Sequence, residues 1–108
     1  MEKYLWEILV PDYDNEKNQY DLEHHHEWDD YVRNIAGGLT IFKTGKGQWV
    51  SPEGELFKDV MIPVRIQCTI EEIIDIGRFT VRHYTQKAVM FYRVGDLVEI
   101  IHEHELDD

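Results

Sequence analysis

The chain has 108 residues, of which 43% are hydrophobic and 12% aromatic, and it carries a formal net charge of −11. That is enough apolar material for one core and too short a chain for two, which excludes global disorder and a multidomain architecture. No apolar run approaches the ~20 residues of a membrane span, and the acid-flanked start "MEKYLWEILVPDYD" is unlike a signal peptide.

The charge is segregated. Residues 1–34 hold ten acids and three bases, residues 96–108 six acids and no base, and residues 35–95 six acids and eight bases. A nucleic-acid binder that tracks the phosphate backbone needs a basic face. Only the middle segment could supply one, flanked by repelling ends, so direct nucleic-acid binding is not expected. Acidic ends suit solubility, or docking onto a basic partner protein. The single cysteine, Cys68, excludes an internal disulfide and sits in an apolar alternation, which predicts an inert core thiol in a cytoplasmic protein.

In chain order, "KYLWEILVP" predicts a first strand stopped by Pro11, with Tyr4, Trp6, Ile8 and Val10 on one face and Leu5, Glu7 and Leu9 on the other. A polar, mobile loop follows over "DYDNEKNQYD". Trp28, Tyr31, Val32 and Ile35 then fall on one stripe of a helix near residues 22–36, ended by Gly37 and Gly38. The stretch "GGLTIFKTGKGQWVSPEG" holds five of the seven glycines. It lacks the G-x-x-x-x-G-K-[ST] spacing and the following helix of a phosphate loop. The expectation is a hairpin, with a strand near 38–43, a turn at Thr44–Gly47 in which Gly45 and Gly47 adopt positive φ, and a return over Gln48–Ser51. A second turn at "SPEGE" uses Pro52 and Gly54.

"LFKDVMIPVRIQCT" alternates as a long strand, and Pro63 within it implies a bulge or an unpaired side. "TIEE" is a capping box for a second helix, with Ile70, Ile73, Ile74, Phe79, Val81 and Tyr84 on its apolar side and Gly77 as a weak point. "KAVMFYRV" and "DLVEII" predict two last strands. The result is one α+β domain over residues 1–103 with an acidic tail at 104–108. Its fold class is a ferredoxin-like split βαβ sandwich: an antiparallel sheet, two helices on one face and an extra short C-terminal strand. The uncovered sheet face is a candidate homodimer surface.

The residues "GGLTIFKTGKGQW…EGELFKDVMIPVRI", with "YLWEILVP" before and "AVMFYRV" after, resemble a group of small bacterial and phage-borne proteins of unknown function. That resemblance covers most of the chain. It implies a ferredoxin-like fold and a phage or mobile-element origin, and it supplies no catalytic residues.

Site chemistry is faint in the sequence. His24, His25 and His26 are consecutive, so on a helix they splay about 100° apart. With no HExxH and no paired cysteine, they predict a solvated helix start and no metal or cofactor. Arg78 and Arg82 form a short basic strip beside Asp75 and Glu71, read as surface ion pairs. Ser51 is the only serine and precedes a proline, which leaves no nucleophilic triad. Two readings stand. The first is a non-enzymatic interaction module that meets a basic host protein through Asp29, Asp30, Glu103, Glu105, Asp107 and Asp108. The second is a binder of an anionic metabolite or nucleotide, or a small dimeric enzyme, using Trp6, Trp28, Lys46, Trp49, Arg65, Arg82 and Tyr92.

Overall fold

The computed structural model describes residues 2–95 and 103–105. The elements run β1 (Tyr4–Pro11), α1 (Leu22–Ala36), β2 (Thr40–Ile41), β3 (Gly45–Val50), β4 (Leu56–Cys68), α2 (Ile70–His83), β5 (Phe91–Gly95) and a 3-10 turn at Glu103–Glu105. The sheet is antiparallel throughout in the order β2-β4-β1-β5, and β3 continues the β2 edge by pairing with the first half of β4. Since β4 lies between β1 and β2, the first crossover is split as the alternation predicted. The further strand expected over "DLVEII" lies outside the described residues. Among the described residues, no helix is long and apolar enough to cross a membrane.

Local chemistry sets the helix ends. The Asp21 side chain accepts from the His24 N–H at 2.8 Å, and Gly37 closes α1 at φ 86°, a left-handed geometry that glycine adopts without a Cβ clash. Thr69 and Glu72 form the reciprocal capping box of α2. Trp6, Ile8 and Val10 of β1 and Val64, Ile66 and Cys68 of β4 face Trp28 and Val32 of α1 and Ile73 and Ile76 of α2. Trp28 donates to Thr80 Oγ1 at 2.8 Å and Trp6 to the Cys68 carbonyl at 3.0 Å. Among the described residues, no buried side-chain nitrogen or oxygen lacks a partner. Cys68 is fully buried, and burial pushes its thiol pKa up to about 12, with Glu72 adding to the effect.

Several expectations are corrected. The glycine-rich stretch is not a self-paired hairpin. β2 and β3 both pair with β4, and "TGKGQW" is mostly strand. Positive φ occurs at Gly37 and Gly54, not at Gly45 or Gly47. A Cβ at Gly47 would lie 2.5 Å from Met61 Cε, the flexible end of that side chain. The chain reverses at "SPEG", where Gly54 donates to the Ser51 carbonyl at 2.8 Å. Pro63 faces the break between β2 and β3, where its carbonyl accepts from Phe42 and it has no N–H to return the bond, which is the unpaired side expected of it. On α2, Ile70 and Ile74 are exposed, while Ile76, Gly77 and Thr80 are buried instead. Gly77 is also a contact point, because a Cβ would meet Phe91 at 3.1 Å. The loop after β1 is tied down by its own hydrogen bonds: Asp14 Oδ1 accepts from the Glu16 and Asn18 N–H groups, and Tyr20 N–H donates to the Asp12 carbonyl.

Candidate functional site

Two adjacent residues near the start of α1 meet two adjacent residues at the end of α2. His25 Nδ1 lies 2.6 Å from the Tyr84 hydroxyl, and His25 Nε2 lies 3.2 Å from Asp12 Oδ1. Tyr84 is fully buried, and desolvation followed by the charge of Asp29 raises its pKa, so the phenol stays protonated. In the neutral ring, Nε2–H therefore donates to the Asp12 carboxylate and Nδ1 accepts the Tyr84 proton. Gln19 Nε2 donates to Asp12 Oδ2 at 3.2 Å. The Tyr20 hydroxyl donates to the Tyr84 carbonyl at 2.5 Å, and burial raises its pKa as well.

Asp12 and His25 form part of the wall of a cleft of about 550 Å³ between the loop after β1 and the chain at 41–44. Its apolar surface comes from Tyr20, Leu22, Ile41, Phe42 and Ile62, and its polar groups are Asp12, Gln19, Asp21, His25, Lys43 and Thr44. The arrangement is a cleft of mixed apolar and polar lining, with an imidazole held between a carboxylate and a phenol. Such an imidazole can orient a ligand or exchange a proton with it.

His24 and His83 form the neighbouring pair. Their rings stack with centroids 3.9 Å apart and continue a column that runs Tyr20, His24, His83, Phe79, Tyr31. The expected solvated helix start is therefore corrected. His24 and His25 pack against α2, and of the three consecutive histidines His26 is the exposed one. Glu27 closes a cluster with His24 and His83 whose ligand atoms all lie within 4.8 Å of one another.

The residues named for a ligand pocket are dispersed. Trp6 and Trp28 are core residues beneath the helices. Arg65 and Tyr92 lie on the opposite sheet face, where Arg65 Nε donates to Glu7 Oε1 at 3.0 Å and Tyr92 donates to Glu7 Oε2. Arg65 also lies over the Phe42 ring, 5.1 Å from its centroid. Lys46 and Trp49 are on β3, with Trp49 opposite Phe57 in register. Arg82 lines a separate groove with Gly77 and Phe91. Of the acidic residues, Asp29 is half-buried on α1, Asp30 pairs with Arg33, and Glu103 and Glu105 lie in the exposed 3-10 turn. Asp107 and Asp108 lie outside the described residues. Arg78 pairs with Asp75 at 3.6 Å, as the basic-strip reading expected.

Sequence reasoning missed Asp12, Tyr20, His24, His25, His83 and Tyr84 as a group. The local signal was present in His24 and Glu27 at i, i+3, but their partners stand about sixty residues away.

No protein-family model and no curated protein matches the chain. Solved structures do. The chain is similar to the periplasmic divalent cation tolerance protein CutA of Archaeoglobus fulgidus (TM-score 0.63, 12% identity, 94% of this chain and 89% of that one). It is similar to the divalent cation tolerance protein Cut A1 of Thermus thermophilus (TM-score 0.66, 12% identity, 94% and 90%). It also resembles a phage SAM lyase in complex with S-methyl-5'-thioadenosine (TM-score 0.63, 15% identity, 82% and 78%). At these identities the likeness establishes the fold, an α+β ferredoxin-like sandwich.

Proposed function

We propose that this protein binds a small nucleoside-type ligand in the cleft walled by Asp12, Tyr20, His25 and Phe42. The cleft carries the reading, because Tyr20 and Phe42 line it and the Asp12 and Asp21 carboxylates offer acceptors for ribose hydroxyls. Asp12 and Asp21 outnumber Lys43, so the polarity favours a neutral or cationic nucleoside over the anionic nucleotide that composition alone allowed. The nucleoside held by the phage lyase is consistent with this class. A cytoplasmic setting, read from the single cysteine, and a phage or mobile-element origin, which the sequence resemblance implies, belong to the same reading.

Isothermal titration with S-methyl-5'-thioadenosine as probe tests it. The expected result is saturable binding that Phe42→Ala and Asp12→Asn each weaken at least tenfold. Heats that do not saturate, or an affinity indifferent to both substitutions, overturn the reading.

A second reading rests on the charge segregation: an interaction module that presents Asp29, Asp30, Glu103, Glu105, Asp107 and Asp108 to a basic protein. The pairing of Asp30 with Arg33 weakens that face. The open sheet face, with Glu7, Arg65 and Tyr92, is the surface on which a homodimer would form.

A further inference from the structure

We infer that the groove between α2 and the start of β5 binds a medium-chain fatty acid, with its carboxylate on Arg78 and Arg82. The groove has a volume of about 380 Å³, with Ile74, Gly77 and Val81 of α2 on one side and Ala88, Val89 and Phe91 on the other. That volume lies at the small end of the range for ligand pockets. Gly77 lets Phe91 approach the helix, because a Cβ there would meet the ring at 3.1 Å. From Ile74 to Arg82 the helix side of the groove runs about 12 Å at ~1.5 Å per residue, a strip that suits an extended alkyl tail. Ile74 is exposed although it is a large apolar side chain, and a bound tail would cover it.

The charge at this groove runs against that of the whole chain. Residues 76–95 carry Arg78, Arg82, Lys87 and Arg93 and no acid, in a protein of net charge −11. Among the described residues, no carboxylate lines the groove. Arg78 and Arg82 stand at i and i+4, so they rise one turn apart from the same flank of α2. Arg78 reaches Asp75 at 3.6 Å with both side chains more than half exposed, a weak pairing that leaves the guanidinium able to take a second acceptor. Among the described residues, the Arg82 guanidinium has no acidic partner. Two guanidinium forks one turn apart suit the two oxygens of a single carboxylate. Their methylene stems extend the apolar lining toward that head group. A small anion without a tail would leave the aliphatic lining in water, so charge and tail are recognised together.

The test is titration of the whole chain with decanoate, below the concentration at which it forms micelles, followed by methyl and amide NMR. Saturable shifts are expected at Ile74, Val81 and Val89. Arg78→Gln and Arg82→Gln, both exposed changes, should each weaken binding about threefold, and the double substitution about tenfold. Octanoate, two methylenes shorter, should bind about tenfold more weakly than decanoate. Acetate, which keeps the charge and lacks the tail, should move none of these resonances. The inference fails if the shifts do not saturate, if the double variant binds as tightly as the parent, or if the shifts fall on Ile41 and Ile62 of the other cleft. It fails too if the groove methyls shift when protein concentration alone is raised, because a second copy of the chain would then be the occupant. S-methyl-5'-thioadenosine should not displace decanoate, and its own binding is read separately, so the two proposals stand or fall apart.

Discussion

The two faces of the central sheet are made by alternate residues of the same strands and solve opposite problems. Beneath the helices, Trp6, Ile8, Val64 and Ile66 exclude water, and each indole N–H is given a buried acceptor. On the other face, Glu7 sits directly opposite Arg65 on β4 and Tyr92 on β5 and gathers both with its two oxygens. The first face gains mainly from buried area, at about 25 cal/mol per Å² of apolar surface. The second gains from charge-assisted hydrogen bonds that solvent partly screens, since the Arg65 side chain is 41% exposed. One strand can therefore carry a rigid core and an adaptable polar surface without any change of backbone.

The sharpest way to break this contrast is Trp28→Ala. It removes a fully buried ring and the donor to Thr80 Oγ1, whose own hydrogen bond to the Ile76 carbonyl remains, and should cost about 3–5 kcal/mol in chemical denaturation. Glu7→Ala on the other face leaves Arg65 and Tyr92 close to water, so the same measurement should show only about 1 kcal/mol. If the two losses were equal, the open face would be buried in solution, as in a homodimer. The smallest effect belongs to Asp29, half-buried on α1. Burial raises its pKa despite the opposing charges of Arg33, His26 and His25. The folded state therefore holds the Asp29 proton more tightly than the unfolded chain does, and stability from this group is lost as pH rises through its titration. Asp29→Asn should raise the thermal midpoint slightly at neutral pH, and the gain should vanish at pH values where the parent carboxyl is protonated.

What was legible in the sequence was what neighbouring residues decide. The Thr69–Glu72 box, the Trp28–Ile35 stripe with Gly37 beyond, and the β1 alternation all depend on residues within a few positions, and they fixed the two helices and the sandwich. The first half of the Gly45–Val50 strand was misread because glycines signal turns locally, while its reason for being extended is the pairing with β4. The site was illegible for the same reason. "HHHE" reads as a wet helix start until His83 and Tyr84 are brought against it from 59 residues away.

The chain of hydrogen bonds from Asp12 through His25 to Tyr84 has one more consequence. It joins the end of β1, the first turns of α1 and the C-terminal end of α2, segments that share no sheet ladder with one another. None of the three can open alone without stranding a buried partner, so their amides should exchange with solvent as one cooperative unit. The entrance to the cleft is thus coupled to the far end of a helix, and loosening of either would be felt at both.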